Sequence, residues 1–404
     1  MQLLHRSEYR RAGATKMDRI TCNTTGMPST GVKAFFGFLC LAILTSHTLT
    51  MWRWSEARGV YDDVCYLRQA HLFQRFGVVG LNTDATMDDD RYFVGRLKEI
   101  ALPDPENLDR WPCHVRKPSG KVILQYPPGT GFLLAAFPQG FQVAPLYISA
   151  SIVVCCVALL GIWMARTLSF VIGAGLFGAL AVYGMINPAK ASYSVAPTVA
   201  LCSIIGLLTA LWVNRACGSS WLIALIGLLL GAAVNLRLPN ILLASGYGLF
   251  LGVAFLRSRT LASFLDSVGF VAGVALGIMP TLIAQAINAG SPLATTYGAS
   301  DAVAPAFNIV VLGEYLRDPQ SLLICLAAGW TLWLLRSGLR SAHQIAFLVA
   351  GNLMINLGFF LSHPIFTPYY MVPIAMLCLW TVSFAWLIQP RKSSESAAFQ
   401  CTVP

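Results

Sequence analysis

The chain has 404 residues, 56 % of them apolar and only 11 % charged, with a mean hydropathy of +0.63 and a formal net charge of +10. A water-soluble globular domain has no use for that balance, so lipid is the solvent for most of the chain. Unpaired backbone groups are costly in hydrocarbon, and long unbroken apolar runs do not fit the weak alternation of barrel strands. The expectation is an all-α, polytopic membrane helix bundle.

Residues 1–31 and 391–404 are polar, aperiodic tails, expected to be disordered. The domain between them, 32–390, holds ten stretches that approach the roughly 17 to 25 residues a span requires. They are 33–51, 144–165, 169–187, 193–213, 220–235, 238–256, 263–288, 320–336, 344–361 and 369–388. The first has no small-residue cleavage site behind it and reads as a retained anchor. Gly129 to Phe141 is short and broken by Pro138 and Gly140, which predicts an interfacial or re-entrant helix.

Basic residues test this count, because Lys and Arg gather in short cytoplasmic connections. With both termini cytoplasmic, Arg166, Arg215, Arg257 with Arg259, Arg336 with Arg340, and Arg391 with Lys392 all fall on one side. The other connections, the long first one at 52–143 excepted, are poor in basic clusters. The positive charge therefore marks orientation rather than nucleic-acid binding.

Most of the eleven cysteines lie within apolar spans, as small packing residues do. Cys65 and Cys113 both fall in the first external loop, where an oxidising compartment permits a disulfide without requiring one.

That loop opens with Tyr61-Asp62-Asp63-Val64-Cys65-Tyr66-Leu67-Arg68, whose apolar positions predict an amphipathic helix on the membrane surface. Asp62 and Asp63 stand in its first turn, where carboxylates serve either as helix caps or as a catalytic acid–base pair. The loop closes on Gln125-Tyr126-Pro127-Pro128-Gly129, an extended segment fixed by two prolines ahead of an apolar helix.

An acidic pair after the first span, a surface helix and a Tyr-Pro-Pro-Gly turn resemble the GT-C superfamily of integral-membrane glycosyltransferases, which includes the protein O-mannosyltransferases and the lipid A aminoarabinose transferases. Gly290-Ser291-Pro292-Leu293 through Tyr297-Gly298, Arg237-Leu238-Pro239, and His363-Pro364 through Tyr369-Tyr370 are similar to further motifs of that superfamily, in the same order. The resemblance runs from about residue 33 to 388. It departs at Gln125-Tyr126, where the lipid A enzymes often carry Glu-Lys, and at His363, where the superfamily's Arg is missing.

The resemblance implies a polyprenyl-phosphate sugar donor, a lipid, glycan or protein acceptor, a bacterial inner-membrane location, and Asp62 as base with Asp63 in place of the usual Glu. Such transfer needs a base for the acceptor hydroxyl, cations for the leaving phosphate and a lipid-open groove. Arg237, at a membrane-embedded junction, either meets the phosphate or snorkels to the interface. Lys190 either meets the phosphate or is solvated. Tyr126, Tyr297 and His363 are candidates for substrate binding, each with an ordinary interfacial or loop role beside it. Asp84 and Asp88-Asp89-Asp90 form either a divalent-metal cluster or a solvated acidic face. No zinc spacing, phosphate-binding glycine loop or serine elbow occurs, so no cofactor or nucleotide-sugar donor is implied. The competing classes are a transporter or flippase for a lipid-linked sugar, which would bind near the midplane, and a non-catalytic relative in polysaccharide assembly.

Overall fold

The computed structural model describes residues 30–56, 61–185, 192–215, 219–298 and 304–388, together with the backbone but not the side chains of Tyr61 and Asp62. The protein is all-α: α1 (Thr30–Trp52), α2 (Tyr61–Phe76), α3 (Tyr92–Glu99), α4 (Gly129–Ala135), α5 (Val143–Met164), α6 (Leu168–Gly184), α7 (Val195–Asn214), α8 (Ser220–Leu236), α9 (Ser245–Ser258), α10 (Leu261–Ala289), α11 (Ile309–Arg317), α12 (Pro319–Leu335), α13 (Arg340–Ser362) and α14 (Val372–Ile388). A 3-10 segment, Leu238–Ala244, runs into α9. The strands are one antiparallel pair, β1 (His114–Arg116) and β2 (Val122–Leu124), with Val115 opposite Ile123.

Each of the ten expected apolar stretches contains a helix among its described residues. Among the described residues six helices are long and apolar enough to cross a membrane: Thr30–Trp52, Val143–Met164, Val195–Asn214, Leu238–Ser258, Leu261–Ala289 and Arg340–Ser362. Four more, α6, α8, α12 and α14, have 17 residues each. The piece after the double proline is the seven-residue α4, in keeping with the reading of Gly129 to Phe141 as something other than a span. The amphipathic α11 lies in a connection where no helix was expected.

The bundle is held by close backbone approach. Gly227 and Gly231 of α8 face Gly273 and Gly277 of α10, and a Cβ at Gly273 would overlap the Ala224 carbonyl oxygen. This is the small-residue spacing that lets helices touch in lipid, where burial of apolar surface gives no advantage. Pro280 interrupts α10, and the Asn235 carboxamide repairs the ladder beside it. Asn235 donates to the Gly277 carbonyl (2.6 Å) and accepts from the Thr281 N–H (2.9 Å), the two groups an unbroken helix would join. α14 is buried almost all round, and Gly206 of α7 lies directly on its Trp380 and Thr381.

The first loop folds into a layer over one end of this bundle, and α2 is not the surface helix expected of it. Residues 63–70 are buried: Tyr66, Leu67 and Ala70 belong to the bundle's core, and Val64 and Cys65 pack with the chain that follows α2. Cys65 and Cys113 form a disulfide between α2 and the start of the hairpin. Val64, Phe93, Leu97 and Trp111 make a second, smaller core there.

Arg68 is the hub of the layer. Its guanidinium donates to the Thr83 and Asp84 carbonyls (2.9 Å each) and to His114 Nε2 (3.1 Å), and it lies over Phe93 and Trp111. Burial pulls its pKa down to about 10, opposed by Asp88 and Asp84. His114 Nδ1 is 2.7 Å from the Pro112 carbonyl and must donate there, leaving Nε2 as the neutral acceptor that Arg68 uses. The imidazole is held well below its ordinary pKa, first by burial and then by Arg68.

Candidate active site

The Tyr-Pro-Pro-Gly turn is where the loop layer meets the bundle. After β2, Gln125 N–H bonds the Cys113 carbonyl (2.9 Å), and the two prolines carry the chain onto the end of α8. A Cβ at Gly129 would sit 2.6 Å from the Asn235 carbonyl oxygen, and one at Gly131 would sit 2.6 Å from the Gln69 side chain. Thr130 Oγ1 donates to the Leu236 carbonyl (3.1 Å), so the motif docks α4 against both α2 and α8. Its glycines are there for contact, since larger residues would push these elements apart.

Beyond Leu236 the chain turns extended at Arg237 (φ −162°, ψ 128°). Leu236 and Arg237 consequently line different cavities. Leu236 borders an apolar groove of about 850 Å³ lined also by Phe73, Val78, Phe132, Leu146 and Pro280. Arg237 borders an aromatic cavity of about 700 Å³. A water-sized space of about 10 Å³ lies between them, sharing Pro128 with the groove and Tyr126, Leu238 and Tyr297 with the cavity. Gln69 faces that space with an Oε1 that has no hydrogen-bond partner among the described residues.

The aromatic cavity gathers Arg237, Tyr126, Tyr297 and His363, four of the residues singled out in sequence. The Arg237 guanidinium lies over Tyr370 (4.1 Å) and Tyr369 (4.9 Å), and among the described residues it has no hydrogen-bond or ion-pair partner. Tyr126 stacks on Tyr66 (5.1 Å) and packs near Tyr297 (6.2 Å). His363 lies parallel to Phe359 at 6.1 Å. Gln125 is buried, and its Oε1 also lacks a partner among the described residues. The segment bearing Tyr297 crosses above, fastened by Thr296 Oγ1 to the Gln125 carbonyl (2.7 Å) and by Lys117 Nζ to the Thr295 carbonyl (2.9 Å). No Asp, Glu or Lys lines this cavity among the described residues.

The carboxylates are placed differently. Asp63 is 1 % exposed and its Oδ1 accepts from the Tyr193 N–H at 2.9 Å, joining α2 to the start of α7. It is not part of the aromatic wall, although Ser192, next to Tyr193, is. The side chain of Asp62 and the whole of Lys190 lie outside the described residues. Glu56, which sequence reading passed over, accepts from the Gln142 and Val143 N–H groups at the start of α5 and pairs with Arg96 at 2.9 Å.

The acidic run divides: Asp89 and Asp90 are exposed, whereas Asp84 and Asp88 are buried. Both Asp88 oxygens accept from the Phe93 N–H (3.1 Å each), and burial pushes this carboxyl up against the opposing pull of Arg68. Asp89 pairs with Arg75, which holds its carboxyl below the usual range, and Asp90 meets His71 Nε2 at 2.7 Å. Asp84 caps its own turn through the Thr86 N–H (3.0 Å). Among the described residues no group of three His, Cys, Asp or Glu side chains is arranged to hold a metal.

The aromatic wall was only partly visible in sequence. Tyr369 and Tyr370 stand out in sequence as a motif but not as partners of Arg237, Gln125 only as a departure from the resemblance, and Tyr66 not at all. No family model, curated protein or solved structure matches the chain.

Proposed function

We propose that this protein is a GT-C-like membrane glycosyltransferase that moves a sugar from a polyprenyl-phosphate donor to a hydroxyl acceptor. The observation that carries the reading is Arg237: a cation with no carboxylate partner among the described residues, set on two tyrosines, one residue from an apolar groove. An unpaired, half-buried guanidinium is suited to an anion, and an adjoining groove open to lipid is suited to that anion's hydrocarbon chain. The aromatic faces suit the apolar faces of a sugar ring.

In this reading ten helices span a bacterial inner membrane, both termini are cytoplasmic, and the loop layer lies on the external side. The acceptor hydroxyl attacks the anomeric carbon and the carbon–oxygen bond to phosphate breaks. The phosphate leaves with the electron pair and is stabilised by Arg237, with Lys190 as a second cation. The hydroxyl proton passes to the Asp62 carboxylate. Asp63, committed to the Tyr193 N–H, positions the start of α2 rather than taking the proton. Tyr126, Tyr297 and His363 line the sugar and acceptor side, and no cofactor enters the chemistry.

The test is transfer of labelled sugar from polyprenyl-phosphate donors in membranes carrying wild type, Arg237→Gln, Asp62→Asn or Asp63→Asn at matched expression. Arg237→Gln and Asp62→Asn should each lose at least roughly a hundredfold of transfer, the scale of one transition-state stabiliser or one general base. Undiminished transfer by Arg237→Gln overturns the reading. Movement of the intact lipid-linked sugar across vesicles without transfer favours the flippase instead.

A further inference from the structure

The aromatic cavity has a mouth of its own, separate from the apolar groove. Its rim includes Ile241, Phe359 and Ile365, which are 40 %, 43 % and 41 % exposed. Ile241 belongs to Leu238–Ser258 and Phe359 to Arg340–Ser362, two of the segments long and apolar enough to cross a membrane. Below the rim the two segments are sewn together by amides. Asn356 donates to the Leu242 carbonyl (2.9 Å), and Asn352 donates to the Leu243 carbonyl (3.0 Å) and accepts from the Gly246 N–H (3.0 Å). The mouth is the place where that seam ends.

One turn before Phe359, on the same face of α13, Ile355 is also exposed, so the apolar surface continues from the rim down the helix. A rim built of apolar side chains on membrane-crossing segments is bathed by acyl chains, not water. The groove opens elsewhere, beside Val78 and Phe132.

We infer that the acceptor is itself an amphiphile, whose hydrocarbon part stays in the bilayer at the Ile241–Phe359 mouth while its hydroxyl-bearing head reaches the aromatic cavity. The inference rests on the proposed glycosyl transfer and narrows its acceptor to a lipid. Two amphiphiles then approach one cavity from separate stretches of membrane: the donor's chain in the groove, the acceptor's at the second mouth. The separation lets both be bound together without exchanging places. Of the two cavities only the aromatic one offers hydrogen-bonding groups in number, from tyrosines, Gln125, Thr295 and Thr367, so the two heads meet there.

The test uses the full chain in phosphatidylethanolamine and phosphatidylglycerol vesicles, with benzoylphenylalanine placed singly at position 241 or, as a groove control, at position 132. Light should join both sites to phospholipid acyl chains; labelling at 132 but not at 241 overturns the inference, because the second mouth then faces water. Transfer is measured in parallel with labelled donor and either the total lipid extract or the aqueous glycan and protein fraction of the expressing cells. Product should partition into organic solvent, and product confined to the aqueous fraction overturns the inference. Ile241→Glu, which puts a charge among acyl chains, should lower transfer to lipid by at least roughly tenfold. Thermal stabilisation by polyprenyl phosphate is read for each variant as a separate measure of donor binding. Undiminished transfer to lipid by Ile241→Glu counts against the mouth. If Arg237→Gln keeps both that stabilisation and wild-type transfer, the glycosyl-transfer reading fails, whatever lipid is found at position 241.

Discussion

The loop layer and the α8–α10 seam face the same difficulty, polar groups removed from water, and meet it with different chemistry. In the layer Arg68 takes two carbonyls and an imidazole at once, and the buried Asp88 accepts from the Phe93 N–H. In the seam no charge is used. Glycines bring the backbones together, and the neutral amide of Asn235 mends the ladder at Pro280. The difference follows from the cost of desolvating an ion, which is tolerable beside water and high in hydrocarbon. Arg237 stands at the border of the two regimes, a cation without the carboxylates that serve Arg75 and Arg96.

Three perturbations sharpen the contrast, beginning with the largest. Gly273→Val should prevent the bundle from assembling, because side-chain atoms would occupy the space of the Ala224 carbonyl. Detergent-solubilised protein should run as aggregate in size-exclusion chromatography, and a monodisperse peak would mean that the seam tolerates separation. Arg68→Met should cost the layer about 3 to 5 kcal/mol by orphaning two carbonyls and the buried Asp88. Proteolysis should cut the 77–121 segment while the bundle helices stay protected, and loss of both together would make layer and bundle one cooperative unit.

The smallest effect is a pH dependence confined to the layer. His114 is neutral when folded and its pKa is depressed, whereas the unfolded chain titrates near 6.5, so the unfolded state binds the extra proton first. Stability from this group is therefore complete above about pH 6.5 and declines below it, by up to about 1.4 kcal/mol per pH unit. Protection factors of the layer's amides, which are corrected for the intrinsic exchange rate at each pH, should fall between pH 7 and pH 5 in wild type and change less in His114→Gln. Equal pH dependence in both would assign the effect to another group.

Much of the site could be read before the fold was known. Arg237 was conspicuous because an arginine at a helix junction in an apolar chain is costly, and Tyr126, Tyr297 and His363 because proline and glycine mark their turns. What stayed hidden were roles set by contact. Asp63 reads in sequence as a helix cap or half of a catalytic pair, and its Oδ1 accepts from the Tyr193 N–H, 130 residues away. Asp88, Asp89 and Asp90 looked like a metal cluster or an open acidic face, and each has a partner that no local spacing announces.

By itself the sequence determined that this protein is built of apolar helices and which stretches of the chain carry most of them. Hydrophobic run length and turn-forming residues are local properties, and the membrane enforces them. Only the tertiary structure decided that α2 is covered rather than exposed, that Cys65 meets Cys113, that Asn235 repairs α10, and that Arg237 shares a cavity with Tyr369 and Tyr370. Those outcomes depend on which distant groups must satisfy one another once water is gone, and that is settled by packing rather than by neighbours along the chain.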